Sequence, residues 1–528
     1  MPFTLDLYKE PFWAKSGDFI RGRDPLGIQN SSIATYSRLL PGMTNLTLRI
    51  RYYGFYLWLL QEYHFLPNSS PFKKNYRGQY NFIRRAELAL AYSMVVLFDD
   101  IQSVVGSDFA TRNKDLGDSY FYDLGKGADK FKNTPKGSVY WDYSSGALGQ
   151  YYLGALISLG LVVTNENFMI KTDKGDELGS AYKKSISQET RTLFLDCINE
   201  GVLYPNQVSQ MSEFAVHKIP EFSEEWEFYQ ALMLENDGEY FKTAEHMVPN
   251  QRVETIKHFL TDFDSIKEKD RWSEFPFRIY EQRGYIGTEN QSDASVGWYY
   301  FYLNELVHFC LETIFWALLK KMDGNEYQIN YFIDLLINDI LKEFPRLNPQ
   351  NPEKSIEELL QFIDDPVDVL QYVNDLLRII KERRINEAIY GAVYLLFALY
   401  TENKSYLSAL ENYATLHFVN DKNGNIIEVF HQLILKNRKK KFADFLQSCI
   451  LQIMNNHIAI AFRKMGNGER NLLKFMIENN RLLHVENMEP RFTSPRLRTL
   501  RNIMTDLHYL DDEGNLTDTG FELLNRIK

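Results

Sequence analysis

Residues Thr493 to Gly520 read TSPRLRTLRNIMTDLHYLDDEGNLTDTG, and the order of elements in this stretch decides the fold. Ser494 is of the type that accepts hydrogen bonds from the free N–H groups of a helix start. Pro495 suits the first helical position, because its φ is fixed and it has no N–H to leave unpaired. Leu497, Leu500, Met504 and Leu507 then recur at helical spacing. His508-Tyr509-Leu510 and Leu516-Thr517 read as two short strands, joined by the turn formers Asp511, Asp512, Glu513 and Gly514. A last helix, Phe521 to Ile527, closes the run.

Helix, two-stranded wing and helix in that order make the second half of a winged helix-turn-helix. Off the apolar stripe, Arg496, Arg498 and Arg501 fall where such a helix enters a DNA major groove. Arginine serves there both for phosphate contact and for guanine reading, so the stretch predicts contact with duplex DNA. The wing tip Asp511-Asp512-Glu513 would repel phosphate, which leaves the contact to the helix and to neighbouring cations. Those cations are Arg491 and the cluster Lys436, Arg438, Lys439, Lys440 and Lys441, which precedes an amphipathic helix from Phe442 to Phe462. The cluster reads first as a solvated helix start and, nearly as well, as a phosphate-tracking patch beside the winged helix.

A chain of 528 residues is too long for one core and should divide into three or four domains. With 45% apolar and 14% aromatic residues it can bury large cores, which excludes a mainly disordered protein. The net charge of -11 excludes an all-over nucleic-acid coat, so any DNA contact must be a local patch. Cys197, Cys310 and Cys449 are far apart within apolar runs and read as buried thiols of a reducing cytosol, with neither zinc spacing nor a disulfide frame. The start MPFTLDLYKEPFW lacks the basic, then apolar, pattern of an export signal. Trp298 to Leu319 contains Asn304, Glu305, His308 and Glu312, and Ala388 to Tyr400 is too short, so neither reads as a membrane span. The expectation is a cytoplasmic protein without membrane contact.

The ending Thr-Asp-x-Gly occurs twice, at Thr172 to Gly175 and at Thr517 to Gly520. Before the first copy, Ser145 to Leu159 reads as a helix ending at Gly160, with strands at Leu161–Val163 and Phe168–Ile170 around Asn165-Glu166-Asn167. This predicts a second winged-helix-like unit at about 140–185. Its helix lacks arginine and is rich in small and aromatic residues, which suits packing or protein docking better than DNA reading. The expected fold is mainly α, a multi-domain helical protein with two winged-helix-like units. The expected divisions are an N-terminal helical region, 1–190, a helical middle domain, 191–345, a helical domain, 346–462, and a C-terminal winged helix, 463–528. Pro345 to Pro349 reads as a linker.

Leu39 to Leu60, LLPGMTNLTLRIRYYGFYLWLL, places a Pro-Gly turn ahead of a helix that is apolar almost all round and must be buried. Arg49 and Arg51 within it read first as structural arginines beside aromatic rings or acids. Pro41, Gly42, Thr44, Arg49, Arg51, Tyr52, Tyr53, Phe55 and Trp58 together resemble the N-terminal motif of an uncharacterised bacterial family found in phage-defence gene clusters. The resemblance implies a setting in anti-phage defence and carries no catalytic role.

The remaining chemistry is sparse. Glu305, His308 and Glu312 have the spacing of carboxylate-bridged metal helices, but no second Glu-x-x-His supplies the other ligands. Asp99-Asp100, and Asp176, Glu177, Lys183 and Lys184, invite a carboxylate nuclease reading without the strand context it needs. Arg501-Asn502 with His508 resembles the loose arginine–histidine pattern of HEPN ribonucleases. No P-loop, nucleophile elbow, zinc signature or dinucleotide fingerprint occurs, so no catalytic residue, metal ligand or cofactor is expected. The sequence thus predicts a non-catalytic, DNA-associated subunit of a defence complex, partnered by an ATPase, helicase or nuclease subunit. A protein–protein adaptor without DNA binding, or a nuclease, are the alternatives.

Overall fold

The structure is a computed structural model. It describes residues 24–98, 103–115, 120–234, 240–242, 247–249, 251–266, 269–282, 286, 292–347, 351–363, 368–418, 426–465 and 472–527. The paired carboxylates Asp99 and Asp100 lie outside the described residues. The fold is mainly α, with short sheets, and the chain forms two compact units interleaved along the sequence. The first comprises Met1–Leu39, Phe241–Val248 and Pro276–Thr493, the second Leu40–Tyr240, Pro249–Phe275 and Ser494–Lys528.

The first unit is built on the helix Asp293–Met322, started by Ser292, whose side chain accepts from the Ser295 N–H. It is apolar over most of its surface, with a buried polar stripe at Asn304, Glu305, His308 and Glu312, and such a helix needs neighbours that cover it all round. Asn30–Leu39, Ile385–Asn403, Ile426–Asn437 and Phe442–Met465 supply that cover. Residues ahead of the first of these are tied down by polar contacts: Lys464 Nζ donates to the Asp24 carbonyl at 2.6 Å, and a His457 ring nitrogen meets the Pro25 carbonyl at 2.9 Å. The helix Ile329–Leu347 runs through Pro345, so the proline lies inside a helix where the sequence suggested a linker. A three-stranded antiparallel sheet, unforeseen from sequence, pairs Arg481–His484 with both Phe475–Glu478 and Glu326–Gln328. Its hairpin turns at Asn479 and Asn480, both at positive φ, the backbone that a tight hairpin requires and that asparagine tolerates.

In the second unit the central helix is Arg51–Phe65, with Tyr52, Tyr53, Phe55, Tyr56, Leu57, Trp58 and Leu59 fully buried. Each such side chain contributes on the order of 2 kcal/mol through loss of water contact, which explains why so aromatic a run sits at a centre. The helix begins later than the sequence suggested, because Leu40 to Ile50 form an irregular loop. The neighbouring helix Tyr76–Leu97 is capped by Asn75.

Both winged-helix-like units belong to this second unit, and they share a backbone plan. In the first, a π-helical turn, Leu148–Tyr152, runs into the helix Leu153–Ser158, followed by the hairpin Val162–Asn165 with Phe168–Lys171 and the helix Asp173–Lys184. In the second, Leu497–Asp506 is followed by a single bridge, Leu510 to Leu516, and the helix Asp518–Ile527. The wing there is a bridged turn where the sequence suggested two strands. Gly160 and His508 both leave the preceding helix at positive φ. The N–H groups of Leu161 and Tyr509 then return to the carbonyls of Leu156 and Met504. Thr172 and Thr517 accept from the N–H groups of Gly175 and Gly520 at 3.1 Å, capping the last helix in each copy. The Thr-Asp-x-Gly echo is therefore a shared cap. Its glycine is required because a Cβ would lie 2.1 Å from the Leu161 carbonyl oxygen at Gly175 and 2.2 Å from that of Tyr509 at Gly520.

Candidate nucleic-acid interface

Helix Leu497–Asp506 buries Leu497, Leu500, Ile503 and Met504 along one side, the stripe expected of an amphipathic helix. Its start differs from the reading of Ser494 as cap and Pro495 as first helical residue. Arg496 is the residue before the helix, at φ 64°, and gives it no side-chain cap. The cause is tertiary: Asn45 donates to the Ser494 carbonyl at 2.9 Å and accepts from the Arg496 N–H at 3.0 Å. Further along, Thr499 Oγ1 donates to the Thr44 carbonyl at 2.7 Å. The far end is closed by an ion pair, Arg49 Nη1 to Asp506 Oδ1 at 2.6 Å, with the Asp506 side chain 1% exposed. Burial pushes the Asp506 carboxyl up to about 6, against the opposing pull of Arg49.

The motif carrying the resemblance is thus the seat of this helix. Gly42, at φ 76°, lies where a Cβ would meet the side chain of Leu159 in the first winged unit, and its carbonyl accepts from Tyr53 OH at 2.7 Å. The Pro41 to Arg49 loop therefore touches both winged units. Arg51 is fully buried and uses its guanidinium on Glu225, at 3.0 and 3.2 Å, and on the carbonyls of Glu213 and Ala215. Tyr56 donates to Glu87 at 2.9 Å, and Glu87 also accepts from the N–H groups of Ala147 and Leu148, fixing the entry to the first winged unit. Phe55 and Trp58 pack among Tyr182, Phe194 and Phe214. Both arginines of the motif are structural, as the sequence favoured.

On the other side of Leu497–Asp506, Arg498 is exposed, and Arg501, Asn502 and Thr505 are partly exposed. Spacings of three and four place the four residues on one helix face. Arg501 also donates to the Asp512 carbonyl at 3.1 Å and lies 5.9 Å from the Trp272 ring centroid, so the wing orients it. Arg496 turns inward, and its Nη1 donates to the Leu40 carbonyl at 2.8 Å. Asp512 and Glu513 are exposed at the wing tip, and Asp511 accepts from the Asn515 side chain and N–H. His508 has its own partners, the Ile219 carbonyl at 3.2 Å and Glu221 at 3.4 Å, separate from those of Arg501.

The remaining candidate cations belong to the first unit. Lys436, Arg438, Lys439, Lys440 and Lys441 form an exposed corner between the helices Ile426–Asn437 and Phe442–Met465. Its backbone is pinned by the N–H groups of Ile356 and Glu357, which donate to the carbonyls of Lys440 and Arg438. Lys440 donates to Ser448 at 3.1 Å, and Lys441 pairs with Glu353, which holds its ammonium above the usual lysine range. Arg491 is exposed in the extended run ahead of the C-terminal winged unit.

Of the groups suggesting catalysis, Asp176 pairs with Lys171 at the end of the wing strand, Lys183 with Glu62 and Lys184 with Glu224. Among the described residues, no three His, Cys, Asp or Glu side chains are arranged to hold a metal ion. No described helix is long and apolar enough to cross a membrane. Compared with protein-family models, curated proteins and solved structures, the chain finds no match in any of the three.

Proposed function

We propose that this chain is a non-catalytic, DNA-associated subunit of a cytoplasmic bacterial anti-phage complex. It meets duplex DNA through the outer face of Leu497–Asp506 and docks an ATPase, helicase or nuclease partner through its helical body. The observation that carries the reading is the polar stripe Arg498, Arg501, Asn502 and Thr505 on the side of the winged helix turned away from the core. Arginine and asparagine are the residue types that pair with phosphates, guanine and adenine in a major groove. The first unit has exposed cations of its own, Lys436, Arg438, Lys439, Lys440 and Arg491, of the type that contacts phosphate. The resemblance of the Pro41 to Trp58 motif supplies the defence setting.

The test is duplex binding of the full chain measured against salt. Arg498→Ala with Asn502→Ala should weaken binding and lower the salt slope by about 1 for each phosphate that the side chains no longer neutralise. Unchanged affinity and slope in that variant would sink the DNA reading. A second reading, a winged unit used only for protein contact, is favoured by the inward turn of Arg496 and the exposed acidic wing tip. Failure to retain duplex DNA at low salt, together with a co-purifying protein whose capture is lost on changing Phe521 and Glu522 of the last helix, selects that reading instead.

A further inference from the structure

The buried polar triad of the first unit has a use that its spacing alone did not reveal. Glu305 and Glu312 point at the backbone of an extended run: Thr493 N–H donates to Glu305 at 2.5 Å and Arg491 N–H to Glu312 at 3.2 Å. Between these two bonds Phe492 stacks on Phe309, with ring centroids 4.7 Å apart and planes 15° from parallel. Earlier in the run, Asn487 donates to Asp323 at 2.9 Å and Glu489 pairs with Lys320 at 3.6 Å. As the run goes forward from 487 to 493, its partners on Asp293–Met322 and the residue after it go backward from 323 to 305. The run therefore lies antiparallel along the helix. Eighteen helical residues rise about 27 Å against about 20 Å for the extended run, and the side chains of Asn487, Lys320 and Glu305 reach along the helix to cover the difference.

The seat and the run differ in stability. Asn304, Glu305, His308 and Glu312 are buried beside Phe309 of the unit's hydrophobic core, whereas Glu489 and Arg491 are exposed and the rest of the run is half-buried, with Met488 and Phe492 packed against that core. Within 487–493 no helix or strand ties the run to itself or to a neighbour. A segment held by a few side-chain catches opens at lower free energy than the core it lies on. We propose that residues 487–493 are a releasable strap, which leaves and re-enters its seat on Asp293–Met322 as one unit while the helix stays folded, with Glu305 and Glu312 as its two catches. Release frees about 20 Å of chain ahead of the C-terminal winged unit and frees Arg491 from a fixed position.

His308 tunes the catches. It lies 3.0 Å from Glu312 and 3.9 Å from Glu305, with Gln29 at 3.4 Å and the charge of Asp24 also acting on it. Burial opposes its charge, but the acids prevail and raise it to about 9. Its ring faces the inner oxygens of Glu312 and Glu305 and leaves their outer oxygens to accept from the strap.

Amide hydrogen exchange of the full chain at neutral pH tests the strap, read on peptides covering 487–494 and 300–320. Exchange over 487–494 should be about a hundredfold or more faster than over 300–320, and Phe492→Ala should accelerate the strap about tenfold further without changing the helix. Glu305→Gln, which keeps an acceptor oxygen and the side-chain shape, should give a smaller acceleration confined to the same peptide. Exchange of the two peptides at one common rate, or parallel acceleration of both by Phe492→Ala, would show that the strap opens only with the whole unit and would overturn the proposal.

Discussion

The Arg49–Asp506 pair predicts an unequal cost for its two halves, and the inequality should depend on pH. Asp506 is 1% exposed and its carboxyl is pushed from 3.8 to about 6. That shift of about two units corresponds to ~3 kcal/mol between its charged and neutral forms. A group whose folded pKa is raised favours folding while it holds its proton. Its contribution is therefore fully present below 3.8 and is lost as pH rises through about 6. Arg49→Ala removes the charge that offsets this cost and leaves a buried carboxylate unpaired, which should cost about 3–5 kcal/mol at pH 7.5. At pH 5 the carboxyl can take up a proton, so the same variant should lose markedly less. Asp506→Asn, which never carries the charge, should cost only about 1 kcal/mol at either pH, the scale of a weakened hydrogen bond. Urea unfolding of the wild type and the two variants at both pH values is the assay. Trp226 provides a local fluorescent reporter because its Nε1 donates to the Leu507 carbonyl next to Asp506. An Arg49→Ala penalty equal at pH 5 and 7.5, or a loss from Asp506→Asn as large as that from Arg49→Ala, would refute the assignment of the pair as a seat whose acid is costly to ionise.

Gly175→Ala and Gly520→Ala should each destabilise by more than about 2 kcal/mol, since the added carbon meets backbone carbonyl oxygens. Gly154→Ala, in the first winged unit's helix with nothing within 4 Å, should be neutral or slightly stabilising, and thermal melts of the three compare them directly. The raised pKa of His308 gives stability that is fully present below 6.5 and lost as pH rises through about 9. Urea midpoints of the wild type should therefore fall between pH 8 and 10, and those of His308→Gln should not show that fall. Arg496→Ala should lower stability by about 1–2 kcal/mol through loss of the Leu40 bond while leaving the salt slope of DNA binding unchanged, the reverse of the pattern expected for Arg498→Ala.

What the sequence revealed depended on whether the signal was local. The helix after Arg51, apolar almost all round, could only be buried, because no partial burial suits such a surface. The Thr-Asp-x-Gly echo was legible as a repeat, and its meaning as a cap packed against a carbonyl required the structure. Long-range pairs left no trace in spacing: Arg51 and Glu225 are 174 residues apart, Arg49 and Asp506 are 457 apart. Ser494 and Pro495 form a sound local start signal that Asn45 overrides from the other end of the chain. The hairpin at Asn479-Asn480 did carry a turn signal between apolar runs, and the polar density of the region concealed it.

The same geometry decides where functional side chains can be sought. An arginine recognises a phosphate or a base by turning its donors outward, so one whose guanidinium is buried in the fold is poorly placed to do so. Arg51 spends its guanidinium on Glu225 and two carbonyls, Arg49 meets Asp506, and Arg496 meets Leu40. Arg49 and Arg51 stand where the sequence is densest in arginine beside aromatic residues, and their motif, Pro41 to Trp58, holds the two winged units. Recognition is then to be sought on surfaces the motif supports without forming, above all the exposed Arg498 face of the C-terminal helix. Changes on that face can alter a ligand without moving the seat, because Thr499 and Asp506, which anchor the helix, occupy a different side of it. A motif that is structural in this way constrains the position of the helix Leu497–Asp506 and leaves its outward residues free to vary without disturbing its seat.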